Sequence, residues 1–208
     1  MRGSPPENSL PEPLPMDCPP PPDPDADLMR AVAAGDAEAF RILVERHQQL
    51  VIGTIARMIG PSEAEDLAQQ AFLNVWKAAE RWRPSARVTT WLLTITRRLV
   101  FNESRRRARA RIQHPLPGAG SGDPGVDLPS PEDSPDAGLS RGELHAEIRA
   151  AIEALPEKER FAVILREYEG LAYDEIAGAL DTSVPAVKSL LFRARASLRI
   201  RLARHLEE

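Results

Sequence analysis

The chain has a single cysteine, Cys18, in 208 residues, which excludes an intrachain disulfide. Its four histidines, His47, His114, His145 and His205, are scattered, and none has the spacing of a zinc site. Aromatic residues make up only 5% of a chain that is 42% hydrophobic and rich in Ala, Leu and Arg. That mixture favours small helical bundles over a large β core. No apolar run reaches the ~20 residues a membrane span needs. The N-terminus has no apolar stretch of the kind a signal peptide carries. A reduced, cytoplasmic compartment without membrane insertion fits these absences. No carboxylate cluster or metal-ligand spacing appears, so no enzyme activity, small-molecule substrate, metal or cofactor is expected.

What is present is unevenly distributed. The formal net charge of -4 averages opposed segments. Arg97 to Arg111 holds seven Arg and one Glu, and Arg193 to Arg204 holds five Arg and no acid. A mildly acidic chain can therefore carry strong local basic faces. Ten of the 20 prolines lie in residues 1–26 and six more between 112 and 142. Both stretches are acidic and poor in large apolar residues, so they bury too little surface to offset their ordering entropy. The expected fold is all-α, with two small helical domains joined by a flexible linker. The expected boundaries are a Pro-rich disordered tail (1–26), a first domain (27–111), an acidic linker (112–142) and a second domain (143–208) containing a helix-turn-helix. Fully extended, a 30-residue linker spans on the order of 100 Å.

In the first block, Phe40, Val44, His47, Val51, Ile55 and Met58 follow a helical period after the plausible N-cap Asp36. Gly60-Pro61 breaks that helix, and Ser62 with Glu65 has the pattern of a capping box. The helix from Ser62 to about Glu80 turns Ala64, Leu67, Ala68, Ala71, Phe72 and Val75 inward. Its outer face carries Asp66, Gln69, Gln70, Leu73, Asn74 and Lys77, with Trp76 at the margin. An exposed Leu and Trp beside amides suit a protein partner; the alternative is an ordinary solvated face. The helix from about Thr89 to Arg111 buries Val88, Leu92, Ile95 and Leu99. Turned away are Thr90, Thr94, Arg97, Arg98, Phe101, Asn102, Arg105 and Arg106, with Trp82 and Trp91 just upstream or at its start. Guanidinium groups neutralise phosphates, aromatic rings stack on unpaired bases, and Thr and Asn can read base edges. The mixture suits partly melted DNA, although Trp91 equally fits a core position.

The second block has a helix carrying Phe161, Ile164, Leu165 and Tyr168, ended by Gly170. A short helix, Tyr173 to Leu180, and a tight turn, Asp181-Thr182-Ser183, follow. The next helix turns Val184, Val187, Leu190, Leu191, Ala194 and Leu198 inward. It exposes Pro185, Ala186, Lys188, Ser189, Phe192 and Arg193, with Arg195 beyond and Ser183 as its N-cap. Short helix, short turn and a second helix with a polar, basic start is the geometry that fits a major groove. A plain three-helix bundle with a basic end is the alternative. Ala172 stands where Ser or Thr would cap better, and Pro185 is tolerated in a first turn.

At these residues the chain resembles the extracytoplasmic-function (ECF) sigma factors of the sigma-70 family. Ala64-Glu65-Asp66-Leu67-Ala68-Gln69-Gln70-Ala71-Phe72 resembles the core-polymerase-binding helix. Thr90-Trp91-Leu92-Leu93-Thr94-Ile95-Thr96-Arg97-Arg98 resembles the promoter-melting segment. Leu155 to Arg160, Asp174 to Ala177, Val187 to Ser189 and Arg193 to Arg195 resemble the C-terminal domain. The resemblance implies a promoter-directing subunit with core RNA polymerase (beta and beta-prime) and promoter DNA as partners. It implies that Asp66, Gln69, Gln70, Leu73, Asn74, Trp76 and Lys77 grip the polymerase. It places Trp82, Thr90, Trp91, Thr94, Arg97, Arg98, Asn102, Arg105 and Arg106 at the minus-ten element, with the loop before Thr89 holding a flipped base. Ser183, Pro185, Ala186, Lys188, Ser189, Phe192, Arg193 and Arg195 fall at the minus-thirty-five element. The linker either threads near the polymerase active-site channel or is a passive tether. Anti-sigma factors that mask such faces are common in the family. Departures are Arg98 where Asn is frequent, Asn102 where Asp is frequent, and Pro185-Ala186 in place of Gly-Thr. These positions bear on which bases are read. The rivals are a stand-alone helix-turn-helix regulator, which leaves the first block without a task, and a nucleic-acid enzyme, which lacks a site.

Overall fold

The computed structural model describes residues 23–84, 86–113 and 135–203. Among these, every regular element is helical: α1 (Ala26–Ala33), α2 (Ala37–Ile59), α3 (Ala64–Ala78), α4 (Val88–Gln113), α5 (Pro135–Glu153), α6 (Glu157–Val163), α7 (Tyr173–Leu180) and α8 (Val184–Arg201). A 3₁₀ turn, Ala79–Arg81, extends α3, and a π-turn, Ile164–Tyr168, extends α6.

Local chemistry sets most boundaries. The Asp36 carboxylate accepts from the N–H groups of Glu38 (2.9 Å) and Ala39 (3.1 Å), capping α2. Gly60 ends α2 at φ 96°, a conformation that disfavours any side chain. The expected capping box at Ser62 does not form: α3 starts at Ala64, and Glu63, at the cap position, makes no side-chain cap bond. Pro135 opens α5, where a missing N–H costs nothing. That helix begins inside the stretch expected to be linker; residues 114–134 of that stretch, and the tail to residue 22, lie outside the described residues.

α1 to α4 pack as one bundle, and α6 to α8 as a second in which α7 and α8 form the helix-turn-helix. The turn holds Asp181 in the left-handed region (φ 53°), and Ser183 Oγ accepts from the Ala186 N–H at 3.4 Å. Glu175 accepts from the Ala172 N–H at 2.9 Å, supplying a cap that Ala172 itself cannot make. The two bundles are not apart. α4 lies directly on α7, and one continuous set of buried side chains runs from Leu43 and Val100 to Phe161 and Ile176.

Candidate polymerase and nucleic-acid interfaces

The outer face of α3 stands as the sequence predicts. Asp66, Gln69, Gln70, Leu73 and Lys77 are exposed, and Leu73 keeps 50% of its surface in water. Gln70 Nε2 donates to Asn74 Oδ1 at 3.1 Å, which orients two amides of the face. Trp76 is half-buried, its ring 4.9 Å from that of Phe40 on α2, so it borders the face rather than projecting from it.

The expected minus-ten residues divide into three groups. Trp82 is buried, and its indole Nε1 donates to the Ala86 carbonyl at 3.2 Å. It braces the loop before α4, and its ring is not on the surface expected to stack on bases. Trp91 is half-buried against the core. Phe101, expected to face outward, is only 8% exposed and meets Phe161 of α6 edge-on at 5.8 Å. Burying these rings returns more free energy than hydration of an apolar surface could.

The second group faces α7. The Thr94 hydroxyl lies 3.0 Å from the Thr90 carbonyl and 3.5 Å from that of Gly178. With one proton to give, it serves the nearer oxygen. The Arg97 guanidinium donates to the carbonyl of Leu180, one of the unpaired oxygens that end α7. Burial pushes Arg97 below its usual pKa range and the nearby Arg98 adds to this, while Asp181 opposes it. A Cβ built on Gly178 would stand 2.6 Å from Thr90 Cγ2, so the helices approach as closely as they do because position 178 has no side chain.

The third group is open. Arg98, Asn102 and Arg105 are exposed, and Asn102, Arg105, Arg106 and Arg109 line a shallow groove along α4. Arg106 is held by Glu103 at 2.7 and 2.9 Å, so its charge is partly met within the chain. Arg98, Arg105 and Arg109 have no side-chain partner among the described residues and remain available to phosphates.

On α8 the polar face is uncovered. Lys188 and Ser189 are exposed, and Phe192 is 75% exposed. Ser189 Oγ donates back to the Pro185 carbonyl at 3.1 Å, leaving its lone pairs outward. Arg193 pairs with Glu159 at 2.9 Å and Arg195 with Glu167 at 2.8 Å. These carboxylates hold both guanidinium groups in place, and Lys188, at the start of the helix, has no side-chain partner among the described residues.

Several residues of the contact between bundles carry no motif. Arg87 pairs with Glu175 at 2.9 Å, and Arg57 with Glu169 at 3.1 Å while lying 4.6 Å from the Tyr168 ring centre. Arg160 donates to the Met58 carbonyl at 2.9 Å. The one local signal is Gly178, because glycine inside a short helix costs about 1 kcal/mol against alanine. No metal-binding cluster of His, Cys, Asp or Glu occurs among the described residues, and no helix among them is long and apolar enough to cross a membrane.

The two helical units correspond to known families. Residues 43–110 match Sigma-70 region 2 and residues 145–198 match Sigma-70, region 4. The chain is 32% identical to the RNA polymerase sigma-H factor of Pseudomonas aeruginosa, over 82% of this chain and 90% of that one. It is also 32% identical to the ECF RNA polymerase sigma-E factor of Escherichia coli K12, again over 82% and 90%. Among solved structures it is similar to CnrH in complex with the cytosolic domain of CnrY (24% identity, TM-score 0.63, 86% of this chain and 97% of that one). It is similar in fold to the sigma factor RpoE in complex with the anti-sigma factor NepR from Bartonella quintana (20% identity, TM-score 0.63, 80% and 98%). The chain belongs to the sigma-70 family, as an ECF sigma factor. It is a non-catalytic subunit that binds core RNA polymerase and promoter DNA and directs promoter-specific transcription initiation.

Proposed function

We propose that three surfaces divide this task. The outer face of α3, Asp66 to Lys77, grips core polymerase through the beta and beta-prime subunits. The face of α4 from Thr90 to Arg106 engages and opens the minus-ten element. The start of α8, Ser183 to Arg195, reads the minus-thirty-five element in the major groove. The observation that carries the reading is the first bundle, which exposes Asp66, Gln69, Gln70, Leu73 and Lys77 on α3 and, on the α4 packed against it, arginines without a side-chain partner among the described residues. A stand-alone helix-turn-helix regulator needs neither.

In the closed arrangement, Thr90, Thr94 and Arg97 abut α7. They cannot meet α7 and a DNA strand at once, so promoter opening requires α7 to leave α4. The Arg98–Arg109 half of α4 and the start of α8 need no such movement. A polypeptide anti-sigma regulator that favours the closed form is part of the proposal, as is action in the cytoplasm beside the polymerase.

The test is run-off transcription with purified core polymerase over a genomic promoter library. The expected result is promoter-dependent transcript that requires this chain. Replacing Asp66 by Arg together with Gln70 by Ala should lower core affinity at least tenfold with both bundles folded. Unchanged affinity would remove the assignment of α3.

A further inference from the structure

We propose that Asp23 is a positioning residue for promoter opening, holding the first turn of α4 from outside that helix. The proposal rests on the assignment of α4 to the minus-ten element. The first N–H groups of any α-helix lack intrahelical acceptors and need an outside oxygen. At the start of α4 the preceding residue is Arg87, which offers no side-chain acceptor and whose guanidinium is turned to Glu175. The missing oxygen comes from a residue 65 positions earlier: Asp23 Oδ2 accepts from the Val88 N–H at 2.6 Å. A carboxylate there also meets the positive end of the helix dipole.

Asp23 is itself held. Its second oxygen, Oδ1, accepts from the Asp25 N–H at 3.0 Å. Asp25 is 3% exposed, pairs with Arg46, and meets His47 Nε2 at 2.8 Å, both on α2. The strap Asp23-Pro24-Asp25 thus joins the middle of α2 to the start of α4. The loop before α4 is fixed at both ends, by Trp82 on the Ala86 carbonyl and by Asp23 on the Val88 N–H. Thr90, Trp91 and Thr94 follow within the next two turns, so a loosened first turn displaces the groups assigned to the opened strand and leaves the outer face of α3 unchanged.

The test compares holoenzymes carrying Asp23→Ala, Asp23→Asn or Arg98→Ala on a promoter active with the parent. Measurements are permanganate reactivity of the opened strand, affinity for single-stranded minus-ten oligonucleotide, core affinity and thermal unfolding. Asn keeps one of the two acceptor oxygens and faces the other N–H with its NH2, so it should restore only part of what Ala removes. We expect Asp23→Ala to lower strand opening and oligonucleotide affinity about fivefold to tenfold, in line with the loss of a helix cap. Core affinity should stay within about twofold, and Asp23→Asn should fall between Ala and the parent. Strand opening at the parental level in Asp23→Ala, while Arg98→Ala is defective, would overturn the role of Asp23. An equal fall in core affinity would also overturn it. An unimpaired Arg98→Ala would instead remove the minus-ten assignment, and the proposal with it.

Discussion

The two helices proposed to face DNA, α4 and α8, share a design and differ in access. Each buries an apolar stripe and turns arginines outward. On α8, Lys188, Ser189 and Phe192 are exposed, and Arg193 and Arg195 are steadied by carboxylates of its own bundle. The polar face of α4 is split: Arg98, Asn102 and Arg105 are open, whereas Thr90, Thr94 and Arg97 meet the end of α7. Under the proposed assignments, duplex recognition remains possible in this arrangement while the groups assigned to an opened strand are covered by α7. The covered half is covered by α7 of the helix-turn-helix, so the proposed release of α4 and placement of α8 would come from one movement.

This contrast can be broken most strongly at its apolar centre. Phe101→Ala removes the edge-on contact with Phe161 and should cost about 3 kcal/mol, which a fluorescence distance between α3 and α8 would register as loss of closure. An unchanged distance would show that the polar contacts suffice. Next in size is the electrostatic difference. Replacing Arg98 and Arg105 together by Ala should reduce the salt slope of promoter binding by about 2, and Lys188→Ala by about 1. Equal slopes would mean that the open half of α4 meets no phosphates.

Arg97 and Gly178 sharpen the comparison further. Arg97→Ala should loosen closure by about 1–2 kcal/mol, the worth of a charged hydrogen bond, yet also impair strand opening; Arg98→Ala should impair opening alone. Gly178→Ala strengthens α7 by its helix propensity, about 1 kcal/mol, but sets a Cβ against Thr90. Hydrogen exchange should slow within α7 while the distance between the bundles grows. The smallest effect concerns pH. Burial holds the Glu169 carboxyl above its ordinary range, with Arg57 opposing. The closed form therefore binds this proton more tightly than an open form in which Glu169 is hydrated. Closure should tighten as pH falls through the raised pKa and loosen above it. Glu169→Gln should flatten that dependence, and a dependence that survives would place its source elsewhere.

Much of this was legible along the chain because it is local. The N-caps Asp36 and Ser183, the break at Gly60, the turn before α8 and the inner stripes of α3 and α8 each depend on residues a few positions apart. The outward face of α3 followed from helical period alone. Where expectation and structure part at Trp82 and Phe101, packing that the helical period does not show is the cause. Trp82 and Phe101 look like free aromatic rings until the loop and α6 close over them. Ser62 has the pattern of a capping box, but α3 starts at Ala64 without a cap from it.

The sequence by itself determined that the chain is helical, that it carries two basic helices in two units, and to which family it belongs. Hydrophobic period, caps and breakers act over a turn or two, and they are written in order. Only the tertiary structure decided that the two units close on one another, that Arg97 ends on α7, and that the start of α4 is capped by Asp23. Those contacts join residues 65 and 83 positions apart. Their partners are chosen by how whole helices pack, because an arginine or a carboxylate can satisfy many acceptors or donors and its own neighbours do not say which.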